Sequence, residues 1–160
     1  MFDAVDVAGY FINKDINKEY FNKKIVKYNN RSFYEGNVRL NKYLFLAQVV
    51  FLAKYEKKLI KEDFSAYANG PVIENIMVEY ARLIEKNNYN SLPQDIQEYL
   101  DKIYFSLENA TYEELIEITH EDPEWINLQN NTYNAPIMNL EKNIDIYKKR
   151  YKGLIAALKI

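Results

Sequence analysis

The stretch VRLNKYLFLAQVVFLAKY, Val38 to Tyr55, decides the fold. Leu40, Tyr43, Leu44, Phe45, Ala47, Val50, Phe51 and Leu52 would surround a helix with apolar side chains instead of marking one stripe along it. A helix that is apolar nearly all round is buried nearly all round, so this one belongs at the centre of a core with other elements wrapped about it. Gln48 falls in the middle of the run and must then be buried too, which requires hydrogen-bond partners for its amide.

The elements on either side have the patterns needed to cover such a centre. Asp3 precedes Ala4, Val7, Ala8, Phe11 and Ile12, whose spacing predicts an amphipathic helix with an acidic cap. Tyr20 to Arg39 is polar, rich in Lys and Asn, and predicts a short helix or loop. From Lys57 to Ala68 the period changes, and alternation through Phe64, Ala66 and Ala68 predicts a small hairpin. Asn69, Gly70 and Pro71 predict a turn with Pro71 opening a helix that runs to about Asn87. After a loop from Asn87 to Leu92, Pro93 opens another helix through Ile96, Tyr99, Leu100, Ile103 and Leu107. Thr111 and Glu114 have capping-box spacing ahead of Leu115 and Ile118. Pro123 to Asn134 is of mixed character, and Pro136 predicts a last long helix carrying Ile137, Leu140, Ile144, Tyr147 and Tyr151. The expectation is a mainly α fold with a small β-hairpin, compact, in a single domain over residues 1–160.

Composition narrows the chemistry. The 160 residues are 48% hydrophobic and 28% charged, enough apolar surface to fold as one core. There is no cysteine, which excludes disulfides, thiolate zinc sites and thiol nucleophiles. Acid stands near the N-terminus where a signal peptide needs base, and no stretch approaches the ~18 apolar residues of a membrane helix, so a cytoplasmic protein without a membrane partner is expected. Net charge is −2, and no helix-turn-helix pattern is present, so direct nucleic-acid binding is not expected. Charge is nonetheless uneven. Between Leu92 and Trp125 ten acids accompany one base, Lys102, whereas Lys148, Lys149, Arg150, Lys152 and Lys159 follow near the C-terminus. A bipolar surface can orient a charged partner, and solvated helix faces produce the same pattern. Fifteen tyrosines and eight phenylalanines serve either an interface or the core.

His120, the only histidine, lies in Thr119-His120-Glu121-Asp122-Pro123-Glu124-Trp125. It could act as a general base oriented by Asp122 or Glu124, or as a metal ligand, but each role lacks its second half: another imidazole or thiolate, or an identifiable nucleophile. The alternative is a helix C-terminal histidine packed on Trp125. The Asn69–Val72 turn could cradle a phosphate at a helix N-terminus, or use Gly70 only for an unusual backbone angle. No catalytic residue, metal or cofactor is expected, and the chain is not expected to be an enzyme.

Three blocks carry a family resemblance. Val38-Arg39-Leu40-Asn41-Lys42-Tyr43-Leu44-Phe45-Leu46-Ala47-Gln48 is similar to L-x-K-L-L-Y-x-A-Q. Leu59 to Val72, LIKEDFSAYANGPV, is similar to L-F-x-E-x-F-x-A-W-x-x-G-P-V, with Tyr67 in place of the Trp. Glu114, Leu115 and Ile116 with Thr119, His120 and Pro123 to Trp125 resemble E-L-x-x-x-T-H-x-x-x-P-W, Glu124 standing between the Pro and the Trp. In this order the blocks resemble the Panacea domain, an antitoxin-like family of bacteria and phages that includes GepA-like phage-associated proteins. The resemblance implies a mostly helical fold, a place in a toxin–antitoxin or phage-associated module, and neutralisation of a cognate toxin by direct binding. Its motif residues here are Lys42, Gln48, Tyr67, Gly70, Pro71, Thr119, His120, Pro123 and Trp125. A proteolytic adaptor delivering a toxin to a cellular protease is the alternative, as is a phage or mobile-element protein acting on a host factor; a cellular protease or chaperone is then a further expected partner. Gln48, Trp125 and His120 are expected to share a polar network. Lys57–Lys61 and Tyr89–Pro93 are the expected loops for toxin choice.

Overall fold

The computed structural model describes residues 1–86, 88–129 and 135–160. In chain order the elements are α1 (Ala4–Lys14), β1 (Ile25–Tyr28), β2 (Arg31–Tyr34), α2 (Glu35–Tyr55), β3 (Ser65–Tyr67), β4 (Gly70–Val72) and α3 (Glu74–Leu83). They continue with α4 (Gln94–Leu107), α5 (Tyr112–Thr119), α6 (Pro123–Gln129), a 3-10 turn at Glu141–Asn143, α7 (Ile144–Arg150) and α8 (Lys152–Leu158). The fold is mainly α, and among the described residues the strands form two separate antiparallel pairs, β1–β2 and β3–β4.

Helix α2 is the axis. Every residue from Arg39 to Ala53 is buried, and α1, α3, α4, α5 and α7 pack around it. Each large apolar side chain withdrawn from water here contributes about 1.5–3 kcal/mol, so the circumferential pattern of α2 is what gathers the other helices. Edge-to-face contacts link Tyr43 to Phe11, Phe21 and Tyr104. Much of the aromatic content is therefore core: Tyr43, Tyr80, Tyr147, Phe11, Phe21, Phe45 and Phe64 are each less than 2% exposed. The capping box of α5 forms as expected, with Glu114 N–H on Thr111 Oγ1 at 3.1 Å and Thr111 N–H on Glu114 Oε1 at 3.3 Å.

Four expectations are corrected. Asp3 stands at the N-cap of α1 without capping it; the Ala4 N–H instead bonds both oxygens of Glu62, at 3.1 and 3.0 Å, and Asp3 faces Lys61. The polar stretch Tyr20–Arg39 holds the β1–β2 hairpin and the start of α2. Its turn residues Asn29 and Asn30 both adopt positive φ, 49° and 63°, the geometry of a type I′ turn that Asn tolerates. Its strands are four residues each and none of those residues is fully buried, so the apolar alternation that reveals a strand is weak.

The second hairpin lies further along than expected. Tyr67 pairs with Gly70 and Ser65 with Val72, so Pro71 occupies a strand edge and α3 starts only at Glu74. Residues after Pro136 do not start a helix. The Pro136 carbonyl accepts the Ala66 N–H, Met138 N–H reaches Phe64, and Ile137 bridges Ser65, so this stretch lines the other edge of β3. Helical backbone begins at Glu141 and is broken at Tyr151 between α7 and α8. Asn87 and the 130–134 part of the mixed Pro123–Asn134 segment lie outside the described residues.

Candidate functional site

The motif residues divide into two places on α2. Gln48 straps down the chain that follows the helix: Oε1 accepts the N–H groups of Leu59 and Ile60, at 3.0 and 2.9 Å, and Nε2 donates to the Ile60 carbonyl at 3.1 Å. All its bonds go to backbone, so the expected network joining Gln48 to Trp125 and His120 does not form. A side chain long enough to reach the adjoining loop satisfies the amide without crossing the core.

One and a half turns earlier, Lys42 meets the β3–β4 hairpin and the α5–α6 corner. Lys42 is 1% exposed, its ammonium donates to the Pro71 carbonyl at 2.9 Å, and it has no ion pair among the described residues. Burial without a counter-ion brings its pKa down to about 7. Pro71 can serve as the acceptor because its carbonyl is free of the two-stranded ladder. Gly70 has φ +108°, and a Cβ there would stand 2.7 Å from Thr119 Oγ1 and 2.9 Å from Lys42 Cε. Only glycine fits both the angle and the space. Thr119 turns its hydroxyl back onto the Leu115 and Ile116 carbonyls of α5.

His120 ends α5, its N–H on the Ile116 carbonyl, and its imidazole lies flat on the Trp125 indole with centroids 4.0 Å apart and planes 9° from parallel. Burial, and next the charge of Lys42, depress its pKa; the Ala68 backbone and Glu117 act in the opposite direction. Nε2 is buried without a hydrogen-bond partner among the described residues. The Trp125 Nε1–H donates to the Tyr67 carbonyl at 2.8 Å, which fastens α6 to β3; Gln129 adds a bond to Ala66. Tyr67 turns its own hydroxyl outward to Glu74.

Asp122 and Glu124, considered above as partners for His120, bond elsewhere. Asp122 Oδ2 accepts the N–H groups of Glu124 and Trp125 and so caps α6, in which Pro123 holds the first position; Oδ1 accepts the Tyr147 hydroxyl at 2.7 Å. Burial raises the pKa of Asp122 despite these bonds. Glu124, 2% exposed, accepts the Asn139 N–H at 2.7 Å and forms an ion pair with Lys142, 2.9 Å away though off hydrogen-bond alignment. These two carboxylates are the structural residues that the sequence signals least. The Asp122-Pro123 order, an acceptor followed by a first-position proline, was the available clue.

A groove of about 200 Å³ opens beside Lys42, between the two hairpins. Arg31, Asn41, Lys42 and Asn69 line it among others, and no carboxylate does. Asn41 is engaged, accepting the Ile73 N–H and donating to Asn37. The loops nominated for partner choice are partly tied down. Leu59, Ile60 and Leu92 are buried, Tyr89 donates to the Leu83 carbonyl, and Asn90 bonds Asp6, while Lys57, Lys61, Asn90, Ser91 and Pro93 are exposed. Of the C-terminal bases, Lys148 pairs with Glu56 and Arg150 reaches the Glu121 carbonyl, so part of the charge asymmetry is used within the fold. Among the described residues no group of three or more His, Asp or Glu side chains could hold a metal ion, and no helix is long and apolar enough to cross a membrane.

A family model described as antitoxin SocA-like, Panacea domain, matches residues 40–126, from the first turns of α2 into α6. No curated protein and no solved structure matches the chain.

Proposed function

We propose that this chain, which belongs to the SocA-like antitoxin, Panacea-domain family, is the antitoxin of a toxin–antitoxin or phage-associated module and neutralises its cognate toxin by direct binding. The match over residues 40–126 carries the proposal. The way the matched polar residues are used supports it. Gln48, Trp125 and Thr119 spend their bonds on backbone carbonyls and N–H groups, and His120 is stacked, with no hydrogen bond to a carboxylate among the described residues. A protein so built acts by presenting a surface, not by proton transfer or nucleophilic attack. The protein works where its toxin is made, in the cytoplasm.

Co-expression with the product of the adjacent gene tests this. Growth rescue together with co-purification of a stable complex is the expected result. Rescue without a complex, abolished in a host lacking its energy-dependent proteases, would replace direct neutralisation by delivery to a protease. Absence of any toxic neighbour would remove the assignment.

A further inference from the structure

The groove between the hairpins has an unusual charge. The chain carries more acids than bases, yet this groove is lined by Lys42 and Arg31 and by no carboxylate. Lys42 lies at its floor, buried, and an ammonium has three N–H donors of which one is used, on Pro71. Arg31 is exposed at its mouth and makes no ion pair among the described residues. Glu74, which takes the hydroxyl of the groove residue Tyr67, is not part of the lining. A buried amine with spare hydrogen-bonding capacity and no counter-ion among the described residues takes up its proton when an anion docks beside it.

A second feature separates a peptide from a simple salt. Asn69, which also lines the groove, has its Oδ1 buried with no donor among the described residues. A free carboxylate cannot supply that donor, whereas a polypeptide offers its own N–H beside the carboxylate. The walls also differ in origin. Lys42 and Asn69 lie within the matched segment 40–126, and Arg31, Ser32 and Phe33 lie outside it. We infer that this groove receives an acidic side chain of the bound partner protein, with its carboxylate on Lys42 and Arg31 and a neighbouring backbone N–H on Asn69.

The inference rests on the antitoxin assignment for the source of the carboxylate, but not for the anion site itself. Among the described residues, the charged or titratable groups around Lys42 are Arg31 from β2, Tyr67 from β3 with Glu74 on its hydroxyl, and His120 at the end of α5 with Glu117 acting on it. A docked carboxylate should therefore draw a proton onto Lys42.

The capped dipeptide acetyl-Gly-Glu-amide and sodium acetate serve as probes, with the lysine ammonium and backbone amide signals followed by NMR at pH 7–8. The dipeptide should raise the Lys42 titration midpoint and shift Asn69 and Arg31, and Lys42→Met should abolish the response. Acetate acting as strongly as the dipeptide, or no shift with either, overturns the inference. In parallel, affinity for the adjacent-gene product should fall about 100-fold in Lys42→Met and about tenfold in Arg31→Glu. Wild-type affinity in both variants, with melting curves showing them folded, overturns the inference while the antitoxin assignment stands. Should wild type bind no neighbouring product, the antitoxin assignment fails and the dipeptide titration alone decides the groove. Arg31 is exposed, so its variant reports even if Lys42→Met fails to fold.

Discussion

The imidazole of His120 and the indole of Trp125 are stacked face to face at 4.0 Å, and the same indole is bonded through its N–H to the Tyr67 carbonyl. The pair thus joins the end of α5, the start of α6 and strand β3 at one point. Removing the ring by His120→Ala should lower stability by about 1–2 kcal/mol while altering partner choice little. The pH dependence has a definite sign. The folded-state pKa is depressed, so below about pH 6.5 the unfolded chain takes a proton that the folded one resists, and stability falls as pH falls. Urea melts at pH 7.5 and 5.5 should show a larger loss for wild type than for His120→Ala. Equal losses would mean that the stacked ring does not resist protonation.

Lys42 imposes a cost of the opposite kind. Its pKa of about 7 in the folded chain lies below the ordinary 10.5, so below pH 7 the charge is carried in both states and its burial penalty, a few kcal/mol, is felt in full. Between pH 7 and 10.5 the folded chain releases the proton first and the penalty fades. Lys42→Met keeps the volume and should therefore be more stable than wild type at pH 6, with the advantage shrinking toward pH 10. The comparison needs only thermal melts at four pH values. A variant less stable than wild type at pH 6 would show that the bond to Pro71 outweighs the buried charge.

Gly70 should tolerate no side chain. Gly70→Ala places a methyl group at φ +108° and within 2.7 Å of Thr119 Oγ1, so a loss of about 2–3 kcal/mol is expected by chemical denaturation. The companion change Thr119→Ser keeps the hydroxyl and should be nearly neutral. In the double variant the loss should persist, because Ser keeps the oxygen that the new methyl group would meet and the backbone angle is unchanged.

What could be read in advance follows from how each signal is written. Residues 38–55 announced a buried central helix because their apolar side chains leave no polar face, and Thr111 with Glu114 announced the start of α5 because a capping box is local chemistry. The β1–β2 hairpin does not show in the sequence because its strands are short and only half-buried, and because its apolar residues do not follow burial: Ile25 is exposed while Val26 and Tyr28 are partly buried. Proline fits the first position of a helix well, which is why Pro71 and Pro136 predict helix starts; instead Pro71 lies in the short β3–β4 hairpin opposite Ala66, and Pro136 lies beside β3 through pairing with residues distant in sequence. At the site, the motif residues around Lys42, Gly70 and His120 were legible as a set. The groove was not, since Arg31 reaches it only through the unforeseen hairpin.

Asp122 and Tyr147 provide the sharpest test of the C-terminal half. The carboxylate has two tasks: Oδ2 caps α6 through the N–H groups of Glu124 and Trp125, and Oδ1 holds the Tyr147 hydroxyl at 2.7 Å, which pins α7 against the α5–α6 corner. Asp122→Ala removes both and leaves a buried hydroxyl without its acceptor, so a loss of about 3 kcal/mol is expected. Tyr147→Phe removes only the second bond and leaves the cap in place, so about 1 kcal/mol is expected. The two residues share one interaction, and the double variant should therefore cost less than the sum, by about 1 kcal/mol in a double-mutant cycle. Strict additivity would mean that the hydroxyl and the carboxylate are held by their surroundings independently, and that α7 is fixed by its packing on α2 alone. A coupling of the expected size would identify Asp122 as the residue through which the corner bearing His120 and Trp125 is locked to α7, beside the bonds of Trp125 and Gln129 that hold it to β3.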